Sequence, residues 1–205
     1  MKGLLSVCVL CVALLSHAEP VFAAKAKAKA KAKAKPAQAE VLHKVLKRVI
    51  KSIRYKRDAR ALTNFDASAQ AAFLADVHWA KASPAQQTEF AALFHKMFGG
   101  IAFPRIRDSL KHLETVLYSA PKVIGNKATV QATIVILHAL KKQELNVTFA
   151  LINTAGAWRV TDVTVKGSPS MLTRIRDDQI KKIYARGGWP KLLELMRKRV
   201  AKLKR

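Results

Sequence analysis

Cysteine is nearly missing from this 205-residue chain. Cys8 and Cys11 are the only two, and both lie within the first dozen positions. Everything downstream therefore lacks disulfides, a thiol nucleophile and thiolate metal ligands. Acidic residues are scarce too: 13 against 38 lysines and arginines, a formal net charge of +25. That shortage leaves little for paired-carboxylate chemistry. No GxSxG, HExxH, P-loop or dinucleotide fingerprint is present either. The histidines are His17, His43, His78, His95, His112 and His138, and no two are spaced as a metal pair on one helix face. Asp177-Asp178 stands beside arginines and reads as helix-surface ion pairing, not an acid/base couple. A membrane span needs about 20 apolar residues, and the apolar run Leu4–Leu15 has about 12. The familiar enzyme classes are thereby excluded, and the expectation is a non-enzymatic protein with no cofactor and no metal.

What is present begins with an export signal. Lys2 supplies a positive start, Leu4–Leu15 the apolar core, and Val21-Phe22-Ala23 a small-x-small cleavage site. Residues 1–23 are expected to be a cleaved signal peptide, which places the mature chain outside the cytoplasm. Neither cysteine follows a small residue as a lipoprotein signal requires: Cys8 follows Val7 and Cys11 follows Leu10. Residues 25–35 then alternate Lys and Ala up to Pro36. With nothing larger than Ala to bury, and with lysines that would repel one another in a helix, residues 24–38 are expected to be a disordered arm. Removing the arm's six lysines still leaves +19 of the +25, so the remainder is basic in its own right. Such charge favours anionic partners: phospholipid headgroups, lipopolysaccharide, an acidic protein or nucleic acid. Nucleic acid is disfavoured. No zinc knuckle, RNP-type aromatic strand or helix-turn-helix glycine accompanies the charge, and export argues against it.

The remaining residues, 39–205, are enough for one domain with one core. Apolar residues recur at helical spacing from Glu40 to Arg57 with cations on the opposite face, an amphipathic helix. Further helices are expected over 66–81, over 84–98 with Ser83 as N-cap and Pro84 first, and over 101–113. Gly99-Gly100 is expected to end the second of these. The period then changes to two. Thr115–Ile124, the stretches around Val130–Ile136 and Leu145–Leu151, and Trp158–Val160 alternate between polar turns at Gly125-Asn126 and Ala155-Gly156. After Gly167 helical spacing returns, with Ser168 as expected N-cap, Pro169 first, and a final helix after Gly187-Gly188. The fold expected is α+β: an antiparallel sheet of about four strands with helices before and after it packed on one apolar face.

Two stretches carry a family resemblance. Trp79-Ala80-Lys81-Ala82-Ser83-Pro84-Ala85-Gln86-Gln87, with Phe90 and Phe94, resembles the W-x-x-A-S-P-x-Q…F…F stretch of the MlaC / toluene-tolerance proteins. Trp158-Arg159-Val160-Thr161-Asp162-Val163-Thr164-Val165-Lys166-Gly167-Ser168 is similar to their W-K-V-x-D-V-x-I-E-G-V-S. Arg174 and Arg176, Gly187-Gly188 and a Leu-rich closing helix follow in the family's order, and the likeness covers roughly residues 40–200. Lys166 stands where an acidic residue is common, and Ile180 where an aromatic is. The resemblance implies a periplasmic phospholipid-binding shuttle of an ABC-type intermembrane lipid transport system. It would exchange lipid with inner- and outer-membrane complexes and hold acyl chains in an apolar cavity between sheet and helices. The apolar face would then supply Phe94, Phe98, Val116, Tyr118, Val130, Ile134, Ile136, Val147, Phe149, Leu151, Trp158 and Val160 as pocket residues. Arg174 is the candidate at the headgroup or mouth, and Asp162 a structural hydrogen-bonding residue. The same side chains could equally form a closed core, and the resemblance favours the pocket. The alternative function is a non-enzymatic basic envelope protein binding anionic polymers or nucleic acid through its Lys-rich arm.

Overall fold

A computed structural model describes residues 35–139 and 141–203; the expected signal peptide and the Lys-Ala repeat before Lys35 lie outside them. Helix α1 (Pro36–Arg54) places Leu42, Val45, Leu46, Val49, Ile50 and Ile53 on one buried stripe, as their 3.6-residue spacing requires. It starts earlier than the periodic pattern does. Pro36 is tolerated at a first helical position, where its missing N–H costs nothing, so residues 36–38 join the first turn instead of the arm. After a turn through Lys56 come α2 (Asp58–Leu62) and α3 (Ala67–Ala75), which a 3₁₀ turn (Asp76–Lys81) follows. Helix α4 (Pro84–Met97) begins on a full capping box. Ser83 Oγ accepts from the Gln86 N–H at 3.2 Å, and the Ser83 N–H donates to Gln86 Oε1 at 2.9 Å.

Gly99-Gly100 does not end this run. A π turn (Phe98–Ala102) carries it directly into α5 (Phe103–Ser109). The two glycines serve close packing instead. A Cβ on Gly99 would lie 3.1 Å from Leu62 Cδ1, and one on Gly100 would lie 2.9 Å from Leu203 Cδ1.

The sheet is antiparallel with five strands: β1 (Leu113–Tyr118), β2 (Lys122–Ile124), β3 (Lys127–His138), β4 (Lys141–Thr154) and β5 (Ala157–Val165). The order is β1-β3-β4-β5, and β2 also pairs with β3. The single strand expected over 115–124 is two strands, because Pro121 lacks the N–H a continuous ladder needs. Alternation on β3 buries Ala128, Val130, Ala132, Ile134 and Ile136 against the helices.

A β-bulge interrupts the pairing of β4 with β5. Phe149 pairs with Val163 and Leu151 with Val160, which leaves Thr161 as the extra residue. Without the bulge, Val160 and Val163 would face opposite sides; with it, both face the helices. The fully buried Gln70 of α3 holds it there, its amide nitrogen donating to the Thr161 carbonyl at 3.0 Å. The outer edge of β5 is covered in part by the α2–α3 link. The Val160 N–H donates to the Asn64 carbonyl at 2.8 Å, and the Asp66 N–H donates to the Val160 carbonyl at 3.0 Å.

Beyond β5 the chain returns to the helical layer through α6 (Met171–Ile175), a π turn (Arg176–Ile180), α7 (Lys181–Tyr184) and α8 (Gly188–Lys202). The N-cap of α6 is Ser170, not Ser168: Ser170 Oγ accepts from the Thr173 N–H at 3.1 Å. Gly167 at φ +82° turns the chain out of β5, and Pro169 then precedes the helix without entering it. Helices α4 and α8 are joined by a bidentate pair, Arg197 to Glu89, at 2.6 and 2.8 Å.

Candidate lipid-binding cavity

Between the helical layer and one end of the sheet lies a cavity of about 430 Å³. Val49, Ile50 and Ile53 of α1, Ile106 and Leu110 near α5, and Phe65 and Phe98 form its helical side. Ile134, Leu145, Val147, Phe149, Val163 and Val165 form its sheet side. Its volume falls within the range of small-ligand sites, and apart from Ser109, Ser168 and Arg174 its lining is apolar. The exposed members of the wall, Ser109, Val165, Ser168, Pro169 and Arg174, mark the mouth. Arg174 makes no ion pair among the described residues, so its guanidinium is available to an anionic group there.

The frame around the cavity is braced by directed contacts. Arg107 of α5 donates to the Ile53 carbonyl at 2.9 Å and to Asp58 Oδ1 at 2.7 Å, tying α5 to the end of α1 and to α2. Asp162 Oδ1 accepts from the Leu172 N–H at 3.1 Å and from the Val163 N–H at 2.8 Å. These two bonds lock β5 to the first turn of α6. Behind the inner wall, Phe98 packs edge-on to Phe65 and Phe103, at 5.1 and 5.2 Å between centroids, and stacks on Phe94 at 5.8 Å.

Of the residues expected at the pocket, Phe98, Ile134, Val147, Phe149 and Arg174 line this cavity. Phe94, Val130, Ile136, Leu151 and Val160 are buried in the closed part of the core, where helix side chains meet the sheet directly. Trp158 is half-buried at the other end of β5, cross-strand from Asn153. Val116 and Tyr118 face a different concavity, also of about 430 Å³, whose opposite wall is Lys47, Lys51 and Arg54 of α1. It is lined by cations and Glu114 as well as apolar groups, so it is the less suited to an acyl chain. Tyr118 stacks on His43 at 5.2 Å, and burial pushes its phenol up to about 12.

Several wall residues escape a reading by alternation. Val163 and Val165 are out of phase with Trp158 and Val160 until the bulge is known, and Val49, Ile50 and Ile53 look like any core stripe. Leu145 belonged to the expected strand pattern and could have been found from it.

Among the described residues no group of three His, Asp or Glu side chains could hold a metal ion. His78 stacks on Tyr184 at 3.8 Å, and His95 Nε2 donates to Gln70 Oε1 at 3.0 Å. Asp177 pairs with Arg176 and Lys181, at 2.9 and 3.0 Å, and these hydrogen bonds hold its carboxyl down at about 2.

The family model described as MlaC protein matches residues 27–198. No curated protein matches the sequence. Among solved structures, a phospholipid-binding protein from Ralstonia solanacearum in complex with a phospholipid superposes with a TM-score of 0.65 at 14% identity. The match covers 82% of this chain and 98% of that one, and it shows a shared fold.

Proposed function

The chain belongs to the MlaC family, and from that premise we propose that it is an exported, non-enzymatic phospholipid carrier. The observation that carries the proposal is the apolar cavity between helices and sheet, with Arg174 at its mouth. An acyl chain entering it leaves water, and each buried methylene contributes about 0.8 kcal/mol. Ten methylenes therefore contribute about 8 kcal/mol, the scale of a micromolar dissociation constant. Retention needs no covalent bond, and release needs only another apolar site.

A headgroup phosphate left at the mouth would pair with Arg174, while Ser109 and Ser168 offer hydroxyls beside it. In this reading the carrier works in the periplasm. It exchanges phospholipid between inner- and outer-membrane complexes of an ABC-type system, after residues 1–23 have directed export and been removed.

Organic extraction of the purified protein, followed by mass spectrometry, tests the reading. A co-purifying phospholipid and uptake of labelled phospholipid from vesicles are expected; the absence of both refutes it.

A further inference from the structure

The outer face of α1 and the turn into α2 carry a cation cluster that the lipid cavity does not use. Arg48, Lys51, Arg57 and Arg60 line a separate concavity of about 120 Å³ with the buried Ser52 among its walls and no carboxylate. That is room for several water-sized groups, hence for one tetrahedral oxyanion. None of the four cations makes an ion pair among the described residues. The nearest acids in sequence are engaged elsewhere, Glu40 with Lys44 at 2.8 Å and Asp58 with Arg107 at 2.7 Å. The four are exposed, so water and salt screen much of their mutual repulsion, and an anion entering the hollow would relieve the rest. Lys47 and Arg54 extend the cationic band along the same helix, and the exposed Tyr55 lies at its end with Arg54 over its ring at 5.9 Å.

We infer that this α1–α2 corner is a docking surface for an anionic phospholipid bilayer, with Arg48, Lys51, Arg57 and Arg60 cradling a headgroup phosphate. Cations with an exposed tyrosine at the end of their band suit the bilayer interface, where the ring sits at headgroup depth and the cations meet phosphate. The choice of a bilayer over another polyanion rests on the carrier reading. Helix α1 carries the cations on one face and Val49, Ile50 and Ile53 of the cavity wall on the other. Docking by α1 would therefore bring the cavity to within about one helix diameter, about 10 Å, of the headgroups.

The test uses the full exported chain and vesicles of phosphatidylcholine with about one-third phosphatidylglycerol. The variant Arg48→Gln/Lys51→Gln/Arg57→Gln/Arg60→Gln is compared with a control that removes four exposed cations elsewhere, Lys122→Gln/Lys127→Gln/Lys182→Gln/Arg186→Gln. Circular dichroism establishes that both fold. The cradle variant is expected to bind these vesicles about a hundredfold more weakly, the control within about threefold of the parent. Equal losses in the two variants, or no loss in the first, overturn the inference. So does displacement of the parent from vesicles by millimolar inorganic phosphate, which would make the hollow a soluble-phosphate site. Duplex DNA bound more tightly than vesicles, with the same four-residue dependence, would reassign the surface to a soluble polyanion. Phospholipid co-purifying with both variants separates failure of the docking surface from failure of the carrier reading.

Discussion

Gln70 is fully buried, and both ends of its amide are used. The nitrogen donates to the carbonyl of the bulged Thr161, and the oxygen accepts from His95 Nε2. Replacing it with Leu keeps the volume and leaves the Thr161 carbonyl without its donor. Gln70→Leu is expected to lose about 1–3 kcal/mol in urea unfolding, the cost of an orphaned buried polar group. His95 shares the fate of this pair. Burial lowers its pKa below the usual 6.5, against an opposing pull from Asp66. Below 6.5 the unfolded chain takes up a proton that the native imidazole resists, so the histidine's contribution is intact above 6.5 and fades as the pH drops toward the native value. Unfolding followed from pH 7 to pH 5 should show stability falling, and His95→Gln should flatten that dependence. The sequence marks Gln70 only as one polar residue in an Ala-rich helix. Its partner is 91 residues away, and no local pattern announces it.

At the scale of elements, local chemistry explains why the helix starts can be read from the sequence. Ser83, Pro84 and Gln86 form a complete capping box, and their bonds lie within four consecutive residues. Ser83→Ala is expected to cost about 1 kcal/mol, measured as a lowered denaturation midpoint with an unchanged slope. The helix ends are less legible. Gly99-Gly100 has the composition of a stop, yet Leu62 and Leu203, remote in sequence, press on those two positions and convert them into a packing seam. Ser168 and Ser170 are equally good caps on paper. The positive φ of Gly167 and the tie from Asp162 to the Leu172 N–H decide for Ser170. On the sheet, alternation located the apolar face of β3 and β4, whereas β5 carries two phases joined by the bulge.

Taken as a whole, the molecule encloses its cavity where α1, α5 and α6 stand over one end of the sheet, and the rest of that face is closed core. A bound phospholipid stabilises the native state alone, so extracting it should lower the melting temperature, and adding phospholipid back should restore it. Val147, on the cavity wall and cross-strand from Ala132 and Val165, is the site at which to fill the space. Val147→Trp should cost about 1–3 kcal/mol of stability and reduce co-purifying lipid by about tenfold or more, read by mass spectrometry against protein concentration. Composition and periodicity alone determined the basic character, the order of helices and strands, and the one apolar face of the sheet, because each depends on residues within a turn or a strand of one another. Only the tertiary structure decided which part of that face stays open. Phe94, Val130 and Leu151 are as apolar as Phe98, Val147 and Val163. What separates core from cavity is where α1 stands over the sheet and a one-residue bulge in β5, both fixed by contacts between residues far apart in the chain.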